Sequence, residues 1–252
     1  MQSRAGIVRL WLFTSACCFL LIAAPAGAAP DKQPEGKSVD SGSFGVFMNG
    51  KRIATETFAI QQSSAGSSVT SEFKAEAGTD RAAQSCNLQL DSKGELKSYE
   101  WRESSPGQSH ASVVPDQDFL IERYGSNPQE KVHEQPFLLP ASTSILDDYF
   151  FVQREVLAWK YLATSCKQEN GQIACPIRQS AQLGTLNAHA RSSGPVSIQY
   201  AGREKVSIRG AEQDLIRLDV KAESGDWTLW LDNQLKLQRI LDSASNTEVI
   251  RD

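Results

Sequence analysis

Hydrophobic and polar positions alternate with a period of two over much of the chain. Phe44, Val46 and Met48 are set against Ser43 and Gly45, Asn49-Gly50 supplies a two-residue hairpin turn, and residues 53–60 return the chain. Further alternating runs follow at residues 68–77, 81–90, 96–103, 111–114 and 119–124. They are separated by turn-formers such as Asp91-Ser92-Lys93-Gly94 and Ser105-Pro106-Gly107. One apolar and one polar face per strand predicts an antiparallel meander that covers a core on one side only.

The period changes at residues 145–163. Ile145, Tyr149, Val152, Val156, Trp159 and Ala163 recur at helical spacing, and Phe150, Leu157 and Tyr161 widen the stripe. Neither Gly nor Pro interrupts the run. Ser144 is placed to act as N-cap, with Asp147 and Asp148 in the first turn, where the helix dipole favours acids. A stripe this wide predicts a deeply packed helix.

Strand patterns resume at residues 195–199, 204–208, 215–222, 227–231, 235–241 and 247–251, while residues 182–194 have weak periodicity and read as a loop. The fold class expected is mainly β (α+β): about a dozen antiparallel strands and one long helix. Residues 43–252 form a single domain in this reading, preceded at residues 29–42 by a flexible leader rich in Pro, Gly and small polar residues.

Residues 1–28 have the three zones of a secretory signal peptide. Arg4 and Arg9 come first, then an apolar run over residues 10–24, then Ala26-Gly27-Ala28 as a cleavage signal. The run is shorter than the ~20 residues a membrane-spanning helix needs, so cleavage after Ala28 is the expectation and an uncleaved anchor the rival. Cys17 and Cys18 lie inside the apolar run, the wrong place for lipoprotein processing. The expected location is periplasmic or secreted, with no membrane span after cleavage.

Three cysteines remain after residue 28. Cys166 and Cys175 flank Asn170-Gly171, the strongest short hairpin signal. With those two residues as the turn, Glu169 faces Gln172, Lys167 faces Ala174, and Cys166 faces Cys175 at a non-hydrogen-bonded position, where strands approach closely. A disulfide is expected in an oxidising compartment; a metal or redox pair is the alternative. Cys86 is left over and reads as a buried thiol.

Composition narrows function mostly by exclusion. The chain has 252 residues, 26 basic against 30 acidic, a net charge of −4. Without residues 1–28 the balance is 24 against 30, or −6, which gives no basic footprint for nucleic acid. His110, His133 and His189 belong to no metal-binding run, and Gly36-Lys37-Ser38 lacks the remainder of a phosphate-binding loop. Gly107-Gln108-Ser109-His110-Ala111 is only a partial echo of a nucleophile elbow. No cofactor, metal site or catalytic residue is identified, and the chain reads as a non-enzyme.

Two segments carry a resemblance. Asp226-Trp227-Thr228-Leu229-Trp230-Leu231-Asp232, with the return strand Leu235-Lys236-Leu237-Gln238-Arg239-Ile240, resembles the closing hairpin of periplasmic half-barrels of the lipoprotein-carrier type. The opening stretch from Phe44 through Asn49-Gly50 to Glu56 looks like the start of bacterial exported domains of unknown function. The resemblance implies a strongly curved sheet wrapped around a helix, with an apolar concave face able to receive acyl chains. The carriers usually have several lid helices and lack a disulfide hairpin, and there this sequence departs from them.

The function expected is therefore binding of a hydrophobic small molecule, lipid or envelope component within a curved sheet. An envelope protein–protein scaffold is the second reading, and a hydrolase whose active residues are scattered in sequence is the third. Candidate ligand-lining residues, from the helix and the final hairpin, are Phe150, Leu157, Trp159, Tyr161, Trp227 and Trp230. The competing role for each is ordinary core packing.

Overall fold

The computed structural model describes residues 36–76, 81–169, 172–223 and 225–252. The expected signal peptide at residues 1–28 lies outside the described residues, as do residues 29–35 of the expected leader. The chain opens with eight strands, β1 (Lys37–Met48), β2 (Lys51–Ser63), β3 (Gly66–Ala75), β4 (Ala83–Leu90), β5 (Leu96–Ser105), β6 (His110–Asp116), β7 (Phe119–Gly125) and β8 (His133–Phe137). A two-residue strand β9 (Ser144–Ile145) precedes the helix α1 (Val152–Ser165) and a small hairpin, β10 (Lys167–Glu169) and β11 (Gln172–Ala174). Six strands follow: β12 (Ser180–Asn187), β13 (Ser192–Ile208), β14 (Ala211–Ala222), β15 (Gly225–Leu231), β16 (Leu237–Asp242) and β17 (Thr247–Arg251).

Fifteen of these strands form one curved, open sheet in the order β8-β7-β6-β5-β4-β3-β2-β1-β17-β16-β15-β14-β13-β12-β9. The last strand lies against the first, with Val46 opposite Val249. Two antiparallel arms thus run outward from a shared centre, each built from local hairpins. At the β1–β2 turn Asn49 and Gly50 both have positive φ, as a two-residue hairpin of this kind requires.

Alternation along each strand decides which face is buried. In β4 Gln84, Cys86 and Leu88 are buried while Ser85 and Asn87 are exposed. The inward side chains of both arms meet α1 in one continuous core, within which Phe44 and Phe58 stack at 4.7 Å between ring centroids. Val152, Leu157, Ala158, Tyr161 and Leu162 pack into that core from the helix. At ~1.5–3 kcal/mol per large apolar side chain, this contribution dominates what holds the helix in place.

The structure differs from the sequence-based expectation in four places. The helix begins at Val152, not near Ile145; residues Ser144–Ile145 instead pair in parallel with β12 at Thr185 and Leu186. Ser144 is therefore not its N-cap, and Asp147 and Asp148 precede the helix. The cap comes from far away: Glu56 on β2 accepts hydrogen bonds from the backbone N–H groups of Phe151 and Val152 at 2.8 and 3.3 Å.

Residues 182–194, read as a loop, contribute most of β12 and the start of β13. Their small and polar side chains hide a strand whose backbone pairs fully with β13. The two expected strands at 195–199 and 204–208 are one long strand, bent at an irregularity between Tyr200 and Gly202. The strand expected to begin at Ser43 begins at Lys37, so residues 37–42 of the expected leader are sheet; Asp40 is buried there against Arg251.

The β10–β11 hairpin has the expected register, Glu169 opposite Gln172 and Lys167 opposite Ala174, and Cys166 is disulfide-bonded to Cys175 with a Cα–Cα distance of 4.4 Å. The turn residues Asn170 and Gly171 lie outside the described residues. Cys86 is a buried free thiol. No helix among the described residues is long and apolar enough to cross a membrane.

Candidate functional site

One side of α1 does not close against the sheet. A cavity of about 540 Å³ lies between the helix, the β2–β3 turn, the β4–β5 turn and residues Thr143, Ser144 and Ile145. Its volume falls within the ~300–1,000 Å³ usual for small-molecule sites. The helix presents Gln153, Val156, Leu157, Lys160, Ala163 and Thr164 to it, a single stripe at spacings of three and four. Leu88, Leu90, Ile145 and Trp159 extend the apolar wall, while Ser63, Ser64, Ser67 and Ser92 make a hydroxyl-rich rim.

Gly66 at the rim has a φ of +134°, and a Cβ there would lie 2.0 Å from the carbonyl oxygen of Leu90. Only glycine lets the β2–β3 turn approach the β4–β5 turn this closely. Trp159 is fixed on the other side by its indole N–H, which donates to the Leu235 carbonyl at 2.6 Å.

At the inner end of the cavity Gln153 joins a buried polar network. Its Nε2 donates to the Tyr99 hydroxyl at 3.3 Å, and its Oε1 accepts from the Asp147 backbone N–H at 2.6 Å. Tyr99 donates to Asp147 Oδ2 at 2.9 Å, and His189 Nδ1 lies 2.5 Å from the same oxygen. His189 Nε2 faces Gln84 Oε1 at 2.6 Å, and the ring stacks on Trp101 at 3.7 Å. Burial first, then the Asp147 charge, pushes the Tyr99 phenol well above its ordinary pKa, so it remains a donor.

Three buried glutamates line the same interior. Burial raises the Glu56 carboxyl to about 7, against donors from Ser71, Val152 and Phe151. Burial likewise raises Glu122 to about 7, against the attraction of Arg191, and neither Glu122 oxygen has a hydrogen-bond partner. Glu155 is raised to about 9, first by burial and then by Asp40. Asp40 moves the other way: burial opposes its ionisation, but hydrogen bonds led by Arg251 hold it below the usual value.

The six residues singled out from sequence separate. Leu157 and Trp159 line the cavity. Phe150 and Tyr161 are fully buried core residues, Tyr161 also bonding Gln179 and Tyr200 through its hydroxyl. Trp227 lies at a different, smaller cavity of about 190 Å³, beside Arg154. Trp230 points to the opposite face of the sheet from Leu229 and Leu231 and packs in a second cluster with Val206, Ile208 and Leu215. These last four residues lie away from the cavity beside α1.

Sequence reasoning missed Lys160 and Gln153 on the helix, and Thr143 before it. The available signal was polar residues set within an otherwise apolar helical stripe. His189, which belongs to no metal-binding run, is largely buried and hydrogen-bonded to Asp147 and Gln84. Among the described residues no group of three or more His, Cys, Asp or Glu side chains is placed to share a metal ion.

No protein-family model matches the chain, and no curated protein does. Among solved structures it is similar to a β-barrel-like protein of the domain of unknown function DUF1849 from Brucella abortus. The identity is 8% and the TM-score 0.53, over 84% of this chain and 94% of that one. It also aligns with a DUF1089-family protein from Pseudomonas aeruginosa at 12% identity, over 74% of this chain and 88% of the other, with a TM-score of 0.44. The first likeness establishes a barrel-like β fold and nothing about activity.

Proposed function

We propose that this protein is a non-enzymatic binder of a hydrophobic small molecule or lipid, held in the cavity beside α1, and that it works outside the cytoplasm. The observation that carries the reading is the cavity itself: about 540 Å³, with an apolar wall of Leu88, Leu90, Ile145, Val156 and Leu157 and a polar rim. The space opens to solvent at its polar rim, which gives a ligand a way in. The disulfide supports an oxidising compartment, as does the leader pattern of residues 1–28.

The hydrolase reading gains only the contact between His189 and Asp147. Both ring nitrogens of His189 are already engaged, one by Asp147 and one by Gln84, which leaves neither to accept a proton from a nucleophile. The binding reading is tested by native mass spectrometry of protein released gently from its producing cells. A bound apolar species in the wild type that is lost in Ala163→Trp, which fills the cavity from the helix, is the expected result. An unliganded wild type that also fails to take up added lipid would overturn it.

A further inference from the structure

The cavity is not uniformly apolar, and the half-buried Lys160 within it forms no ion pair among the described residues. Lys160 lines it from the helix; its ammonium donates to the Ser142 carbonyl and to Ser144 Oγ. Nearby, Thr143 is buried, lines the same cavity, and its hydroxyl oxygen has no hydrogen-bond partner. Lys93 at the rim adds a second cation. Asp91, also at the rim, turns its Oδ1 to the backbone N–H groups of Lys93 and Glu95.

A half-buried cation without an ion-pair partner is partly desolvated, and an anionic ligand can supply the missing counter-charge. Burial in fact holds the Lys160 ammonium below its usual pKa, with Glu95 opposing at longer range. An arriving anion would relieve that cost. The apolar wall begins one helical turn away, at Val156 and Leu157.

Building on the binding role proposed above, we infer that the ligand is an anionic amphiphile: a single hydrocarbon chain against Leu88, Ile145, Val156 and Leu157, with a carboxylate or phosphate headgroup held by Lys160. A free fatty acid and a lysophospholipid both fit that chemistry, and matched probes separate them.

The test is a set of titrations followed by tryptophan fluorescence, using palmitate, a lysophosphatidate of equal chain length, hexadecanol and hexadecyltrimethylammonium. The wild type is expected to bind one or both anions at least about tenfold more tightly than the alcohol or the cation. Whichever anion binds more tightly identifies the headgroup. Lys160→Met should remove that tenfold preference and Lys160→Arg should retain it, with the circular dichroism of each variant showing that it is folded. If the alcohol or the cation binds as tightly as the anions, or Lys160→Met leaves the preference intact, the headgroup assignment fails while the cavity remains a binding site. If none of the four binds, both proposals fail.

Discussion

Asp147 Oδ2 accepts the Tyr99 hydroxyl at 2.9 Å and lies 2.5 Å from His189 Nδ1, so one carboxylate oxygen joins strand β5, the segment before α1 and the turn after β12. Its other oxygen accepts the Tyr149 backbone N–H at 3.0 Å, fixing the turn that leads into the helix. The three chain segments are far apart in sequence, and Gln153, which bonds both Tyr99 and the Asp147 backbone, links this network to the cavity wall.

Removing that carboxylate strands several buried donors together. Asp147→Ala is expected to cost about 3–5 kcal/mol, and His189→Ala, which strands fewer groups, about 1–3 kcal/mol. Urea unfolding of the two variants checks both the magnitude and the order. Equal, small effects would mean the network contributes little.

Glu56 is the helix cap that no local sequence pattern announces. Glu56→Ala leaves the Phe151 and Val152 N–H groups and the Ser71 hydroxyl without their acceptor, and is expected to cost about 1–3 kcal/mol. Hydrogen exchange should localise the loss to the first turn of α1. Uniform exchange across the domain with unchanged stability would count against the cap.

The buried glutamates set the pH dependence. Glu122 has a folded-state pKa of about 7 against an ordinary 4.5, so the folded state holds its proton more tightly than the unfolded state does. Stability from this group is fully present below about pH 4.5 and is lost as pH rises to about 7; Glu56 adds the same sign over the same window. Glu155 extends the decline toward about 9. Asp40, held low, takes stability away only at the acid end, as pH falls below the usual carboxylate range.

Stability should therefore peak in mildly acidic solution. Glu122→Gln should remove part of the decline, gaining on the order of 1–3 kcal/mol at pH 8 and almost nothing at pH 4. Thermal unfolding at the two pH values checks it. A variant equally destabilised at both would show that Glu122 has partners this account does not include.

The fold was legible where local rules govern. The β1–β2 turn at Asn49-Gly50, the strand period and the Cys166–Cys175 pairing all follow from adjacent residues, and the structure has them. The helix start was not legible, because the cap at Glu56 lies 95 residues from Phe151. Strand β12 escaped notice because Gly184, Thr185 and Asn187 hide a fully paired backbone.

Of the candidate lining, Leu157 and Trp159 were legible as helix-face residues, whereas Trp230 packs on the other face of the sheet. Lys160 and Gln153 were marked only as polar residues within an apolar helical stripe, which does not say what they face. Their significance depends on a turn from β4–β5 arriving beside them, and only the assembled sheet brings it there.

The central claim is that the space beside α1 is a binding site and not a packing defect. Titration with an apolar fluorescent probe, such as N-phenylnaphthylamine, tests it most directly in the wild type and in Ala163→Trp. Saturable one-to-one binding is expected in the wild type, and its loss in the variant while circular dichroism and the unfolding midpoint stay at wild-type values. Absence of saturable binding in the wild type, or equal binding in a folded Ala163→Trp, would contradict it.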